Sequence, residues 1–189
     1  MKKAKVLNER ELKKVLDYIE AFDRHAERNR AMVMLSYCLG LRVKELASIK
    51  TQNVLNDKGE INDVIFLEAE QTKGNDSRRV FVNKKAKATI KRYLRSNISV
   101  KQQHYLFETQ KSKRFNTNAL TQLLKRLYAR VGIVGASSHS MRRTYITRLA
   151  TSGVSVKVIA ELVGHKNIAT TQEYIEVSDD LLSNAAELI

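Results

Sequence analysis

Residues 137–174, SSHSMRRTYITRLATSGVSVKVIAELVGHKNIATTQEY, set the terms for reading the rest of the chain. His139, Arg142, His165 and Tyr174 all fall inside this stretch. Apolar residues recur at helical spacing over 140–151 and again over 156–163, with Ser152-Gly153 between them as a break. A guanidinium offers a planar fork of N–H donors that matches two phosphate oxygens. An imidazole can donate to a third oxygen or move a proton near neutral pH. A phenol can become a covalent nucleophile once its proton is helped away. Together these four groups suffice to hold a phosphodiester and attack it.

Upstream, Asn8 followed by Glu11 forms a capping box, and Leu12, Val15, Leu16 and Ile19 repeat at helical spacing. A second helix is expected from about His25 to Leu39. Gly40 is suited to end it, and RVKELASI restarts a helix at once. Arg42 therefore lies at a corner between helices, where a side chain can be aimed. Between Asp63 and Asn83 the period drops to two. VIFLEA and RRVFVN flank QTKGNDS, whose Gly74, Asn75 and Asp76 are turn residues, so a hairpin is expected with Lys73 at or beside its tip. Tyr105–Phe107 is a candidate third strand, and further helices are expected over 84–95 and 117–131. The fold class is α+β, mostly helical, with a small antiparallel three-stranded sheet.

At 189 residues, 43% hydrophobic and 29% charged, the chain fits one globular domain with a real core. It lacks an apolar run of the roughly 18 residues that a membrane span requires and has no signal-like N-terminus, so a cytoplasmic location without membrane association is the simplest expectation. Cys38, the single cysteine, reads as a small buried hydrophobe. Neither a metal-ligand spacing nor a phosphate-binding glycine loop is evident, and no cofactor is expected. Charge is more telling. The total is +14, and residues 71–130 carry 16 Lys and Arg against Asp76 and Glu108, whereas 175–189 hold four acids and no base. A basic body with an acidic tail points to a polyanion, double-stranded DNA above all, as partner.

LGLRVKEL (39–46), TKGNDSRRV (72–80), HSMRRTYITRL (139–149) and VGHKNIATTQEY (163–174) resemble, in order and spacing, the successive motifs of the tyrosine recombinase (phage integrase) family. The resemblance implies that family's catalytic-domain fold over 1–174, with 175–189 as a tail helix. It implies site-specific cleavage and rejoining of DNA through a 3′-phosphotyrosyl link, without ATP or metal. Arg42 and Arg142 then correspond to the arginine pair on the scissile phosphate, and Glu45, one turn after Arg42, to an acid that holds that arginine. Lys73 corresponds to the hairpin lysine that protonates the leaving 5′ oxygen, His139 and His165 to phosphate-contacting histidines, and Tyr174 to the nucleophile. Arg78 and Arg79 are expected to grip backbone phosphates. Met141 stands where the family more often has leucine.

Relatives usually carry a further N-terminal helical domain that closes around DNA, and none is evident here; the chain is either a fragment or one of the short members. An accessory DNA-binding protein is a candidate source of the other half of that clamp. The resemblance implies a tetramer on DNA, with a monomer equally compatible in solution. The tail, with Leu181, Leu182, Ala185, Leu188 and Ile189 as an apolar stripe, can dock on its own body or on a neighbour. Two other readings stay open: a non-catalytic DNA-binding regulator, since VKVIAELVGHKNIATTQEYI has helix-turn-helix character, and a strand-relaxing enzyme of the type IB topoisomerase kind.

Overall fold

The computed structural model describes residues 4–72, 76–96, 104–110, 112–174, 182–183 and 186–187. Its centre is a helix, α2 (Ala26–Leu39), whose second half is buried on every side from Ala31 to Leu39. A helix that is apolar all round must be enclosed, and three others enclose it: α1 (Glu9–Phe22), α5 (Lys84–Ser96) and α7 (Ser140–Thr151). α6 (Thr117–Arg130) closes the other side against α1 and the short α3 (Val43–Ser48). The expected capping box is present: the Glu11 amide donates to Asn8 Oδ1 at 2.8 Å and the Asn8 amide to Glu11 Oε2 at 3.1 Å. Each bond satisfies an amide that the first turn of α1 would leave unpaired.

After α4 (Thr51–Val54), strands β1 (Val64–Leu67) and β2 (Arg78–Phe81) pair antiparallel, with Ile65 opposite Val80 on the core face and Phe66 opposite Arg79 on the outer face. A 3₁₀ turn, Ala69–Gln71, follows β1. The expected third strand does not form among the described residues: the sheet has two strands. Tyr105 instead makes an isolated antiparallel bridge to Lys50, supported by Leu106 N–H to Ile49 O at 2.8 Å. The cause is burial. Leu106 and Phe107, at most 1% exposed, plug the core beside the α3–α4 junction, which draws this run away from the sheet.

The C-terminal part is a smaller unit. α7, α8 (Val156–Val163) and α9 (Ala169–Gln172) surround a second apolar cluster, Ile146, Ile159 and Val163, against which Tyr145, Leu149 and Tyr174 pack. It meets the main body through α7 on α2. The tail lies almost entirely outside the described residues, so its docking expectation does too.

Candidate active site

Gly40 and Gly164 end α2 and α8 in the left-handed conformation, at φ +60° and +66°. Glycine is needed here because an L side chain is strained at such φ and because the space is taken: a Cβ on Gly164 would sit 2.7 Å from Arg78 Cδ, and one on Gly40 would sit 2.4 Å from the Tyr145 ring. The two turns bring the ends of α2 and α8 together around three arginines.

The last carbonyls of a helix have no intrahelical partner and carry the negative end of its dipole. In α8 three successive carbonyls each receive one guanidinium. Arg78 Nη1 donates to Leu162 O at 2.8 Å, Arg142 Nη2 to Val163 O at 2.7 Å and Arg42 Nη2 to Gly164 O at 2.7 Å. Arg142 also reaches across to α2, donating from Nη1 to Gly40 O at 2.6 Å.

Glu45, fully buried, ties two of these arginines together. Oε1 accepts from Arg42 Nη1 at 2.9 Å and Arg78 Nε at 3.1 Å; Oε2 accepts from the Arg42 amide at 2.7 Å and Arg78 Nη2 at 2.8 Å. Burial alone would raise the Glu45 carboxyl, but the Arg78 charge and hydrogen bonds, Arg142 and the Arg42 amide outweigh it and hold the group below the usual carboxylate range. Arg142, 4% exposed, is pushed down to about 9 by burial and by its like-charged neighbours Arg42 and Arg78, with Glu45 and Tyr174 opposing. It remains a cation at neutral pH, in a site with surplus positive charge.

His165 follows Gly164, and its Nδ1 lies 2.8 Å from the hydroxyl of fully buried Thr171 in α9. Burial first, then Arg142, Arg42 and Arg78, lower its pKa to about 4, so the ring is neutral near pH 7. In the tautomer in which Nδ1 accepts from the Thr171 hydroxyl, Nε2 carries the proton and is a donor. Half-buried Tyr174 lies two residues past α9; its ring centroid is 6.0 Å from that of His165, with 28° between the planes. Arg143 Cζ stands 5.6 Å from the Tyr174 ring centroid. Arg42, Thr72, Asp76, Arg78, Arg79 and His165 line a cleft of about 880 Å³ beside this cluster.

The structure thus brings Arg42, Glu45, Arg142, His165 and Tyr174 together. His139 occupies the N-cap position of α7, one turn before Arg143, and is exposed. Lys73 lies outside the described residues; its flanks, Thr72 and Asp76, line the cleft and are joined by Thr72 Oγ1 to Asp76 O at 2.9 Å. The two hairpin arginines part company. Arg79 is exposed, with its guanidinium 5.8 Å from the Phe81 ring centroid, whereas Arg78 has a side chain 9% exposed and turned inward onto Glu45. Three of the five Arg78 donors are thus spent on Glu45 and Leu162, while its side chain also lines the cleft. Sequence reasoning missed this although a signal existed, since Arg78 shares the inward parity of Val80 along β2. Thr171, which meets His165, and Arg143, which stands over the Tyr174 ring, lie within the motifs quoted above but were given no role there. Among the described residues no group of three or more His, Cys, Asp or Glu is placed to hold a metal, and no helix is long and apolar enough to cross a membrane.

Comparison with known proteins puts this geometry in context. The sequence profile of the phage integrase family matches residues 5–180. The tyrosine recombinase XerA of Pyrococcus furiosus is 30% identical over 184 residues, covering 97% of this chain and 61% of that protein. A crystal structure of XerA recombinase superposes with a TM-score of 0.76 at 25% identity, across 97% of this chain and 64% of that one. The XerH site-specific recombinase, bound to its difH substrate before cleavage, shares the fold, with a TM-score of 0.75 at 22% identity over 98% of this chain and 54% of that one. The chain spans less than two thirds of the length of these relatives.

Proposed function

The chain belongs to the phage integrase family, and from that premise we propose that it is a site-specific DNA recombinase whose nucleophile is Tyr174. One observation carries the reading. The Tyr174 phenol lies against His165 beside a cluster of buried and partly buried, mutually repelling guanidinium groups, oriented by one carboxylate and one helix end. Such a site is built to receive an anion.

A DNA phosphate entering the cleft takes donors from Arg42 and Arg142 and from Nε2 of His165. Each guanidinium carries five N–H groups, of which the bonds described above use two. Attack by the Tyr174 oxygen on phosphorus forms the Tyr–O–P bond and breaks the bond from phosphorus to the 5′ oxygen. Charge builds on the non-bridging oxygens, where the preplaced donors stabilise it. The phenol's proton passes to His139 as general base, and Lys73 protonates the departing 5′ oxygen. The reverse reaction with a different 5′ hydroxyl exchanges strands and conserves the phosphodiester energy in the covalent link.

Residues 1–174 form the catalytic domain in this reading, and 175–189 a tail that contacts either its own body or a neighbour in a tetramer assembled on DNA. The test is covalent trapping. Wild type and Tyr174→Phe are incubated with a nicked duplex whose cleaved fragment diffuses away, then denatured in SDS. An adduct formed by wild type and absent from Tyr174→Phe, with equal DNA binding by both, is the expected result. Binding without an adduct in wild type supports the non-catalytic regulator instead. Relaxation of plasmid without exchange between two target sites supports the topoisomerase reading.

A further inference from the structure

Beside the arginine cluster, the candidate site holds one buried hydroxyl that the steps proposed above do not use. Thr171 in α9 is fully buried, and its Oγ1 lies 2.8 Å from His165 Nδ1. A threonine inside a helix can give its hydroxyl proton to a carbonyl one turn back. Thr89 Oγ1 does so to Lys85 O at 2.9 Å, Thr144 Oγ1 to Ser140 O at 2.8 Å and Thr151 Oγ1 to Arg148 O at 3.1 Å. Thr171 does not. The carbonyls one turn back already serve main-chain amides: Ile168 O accepts from Thr171 at 2.8 Å and Gln172 at 3.1 Å, and Asn167 O from Thr170 at 3.1 Å. Among the described residues the hydroxyl has one partner, the imidazole.

That isolation decides the direction of the bond. A buried hydroxyl needs an acceptor for its proton, since leaving a buried donor unmet costs more than the bond itself returns. If Nδ1 carried a hydrogen, the ring would donate and the Thr171 proton would be stranded in the interior. With Nδ1 bare, the hydroxyl donates to it and both atoms are satisfied. The ring is neutral near pH 7, so its single hydrogen then sits on Nε2. His165 lines the cleft with Arg42 and Arg78, where an entering phosphate needs donors. Thr171 also reaches the tyrosine, by a separate route. Its carbonyl accepts the Tyr174 amide at 3.0 Å, and the Tyr174 ring centroid lies 6.0 Å from that of His165.

We propose that Thr171 is the positioning residue for His165: its hydroxyl fixes the imidazole as the Nε2–H tautomer and holds that hydrogen toward the phosphate, while its carbonyl keeps Tyr174 alongside. This assignment rests on the recombinase reading above. Thr171 does not touch the phosphate; it acts through the histidine. Loss of the hydroxyl alone therefore slows cleavage with little effect on DNA affinity.

The test begins with wild-type protein labelled with ¹⁵N-histidine, without DNA at neutral pH, the His165 signals being identified by their loss in His165→Asn. Long-range ¹H–¹⁵N spectra report which ring nitrogen is bare. A bare Nδ1 and a protonated Nε2 are expected; a protonated Nδ1 overturns the proposal. The second readout is single-turnover adduct formation on the nicked duplex, with DNA affinity measured alongside. Thr171→Val removes the hydroxyl at nearly unchanged volume, whereas Thr171→Ser keeps the hydroxyl and gives up the methyl. Both keep the carbonyl that holds Tyr174. Thr171→Val should move the Nδ1 resonance and slow adduct formation about tenfold, the weight of one hydrogen bond, with the DNA Kd changed less than about twofold. Thr171→Ser should leave that resonance in place and stay within about threefold of the wild-type rate. Packing alone predicts the reverse order, because Ser leaves a gap in a filled interior and Val does not. A Val variant as fast as the Ser variant overturns the proposal. If Thr171→Val does not fold, Thr171→Ala replaces it, and equal rates for Ala and Ser overturn the proposal likewise. Should wild type form no adduct, the recombinase reading fails, while the ¹⁵N spectra still decide whether Thr171 sets the tautomer.

Discussion

Glu45 shows how a single side chain can organise a cationic site. Its two oxygens accept four N–H donors, from Arg42 and Arg78, while fully buried. Replacing it by Gln leaves the guanidinium groups without their counter-charge, a loss of about 3–5 kcal/mol by the cost of breaking buried ion pairs; urea denaturation of Glu45→Gln measures it. Arg78 and Arg79 separate structure from binding. Arg79→Glu should weaken DNA binding across sequences at unchanged stability, and Arg78→Glu should lower the melting temperature by placing like charge on Glu45. His165 gives the sign of a pH effect. Its pKa falls from an ordinary 6.5 to about 4 in the folded chain, so between these values the unfolded state binds more protons. Stability from this residue is intact above about pH 6.5 and declines as pH falls toward 4. Thermal melts should show a slope in that window that His165→Asn reduces. The motif residues were legible because their types and order resemble a family's. The inward turn of Arg78 was legible only through strand parity, and the contact of Thr171 with His165 was not, because it exists only once α8 and α9 pack.

At the scale of elements, the C-terminus of α8 does most of the orienting. Three successive carbonyls, of Leu162, Val163 and Gly164, each take one arginine, from β2, α7 and the start of α3. Sequence patterning anticipated the longer helices, though not the four-residue α4 and α9, and placed Arg42 at a corner, since caps, Gly40 and apolar spacing are local signals. It overcounted the sheet because Tyr105–Phe107 has strand character but is drawn into the core. Gly164→Ala tests the junction. A Cβ there meets Arg78 Cδ at 2.7 Å and the backbone is left-handed, so a destabilisation of about 1–3 kcal/mol is expected. The same variant should lose adduct formation by more than it loses DNA affinity, because the shifted carbonyl carries Arg42.

The whole molecule is a strongly basic body of net charge +14. DNA affinity should therefore fall steeply with salt, by about a thousandfold between 50 and 200 mM if six or more phosphates are contacted; fluorescence anisotropy across that range checks it. The most direct trial of the account is to identify the atom that becomes attached to DNA. Wild-type adduct on a nicked duplex is digested with nuclease and protease, and the peptide carrying the residual nucleotide is sequenced by mass spectrometry. A 3′-phosphonucleotide on Tyr174 is the expected result. Attachment at any other residue, such as Tyr145 or a serine of 137–140, would contradict it.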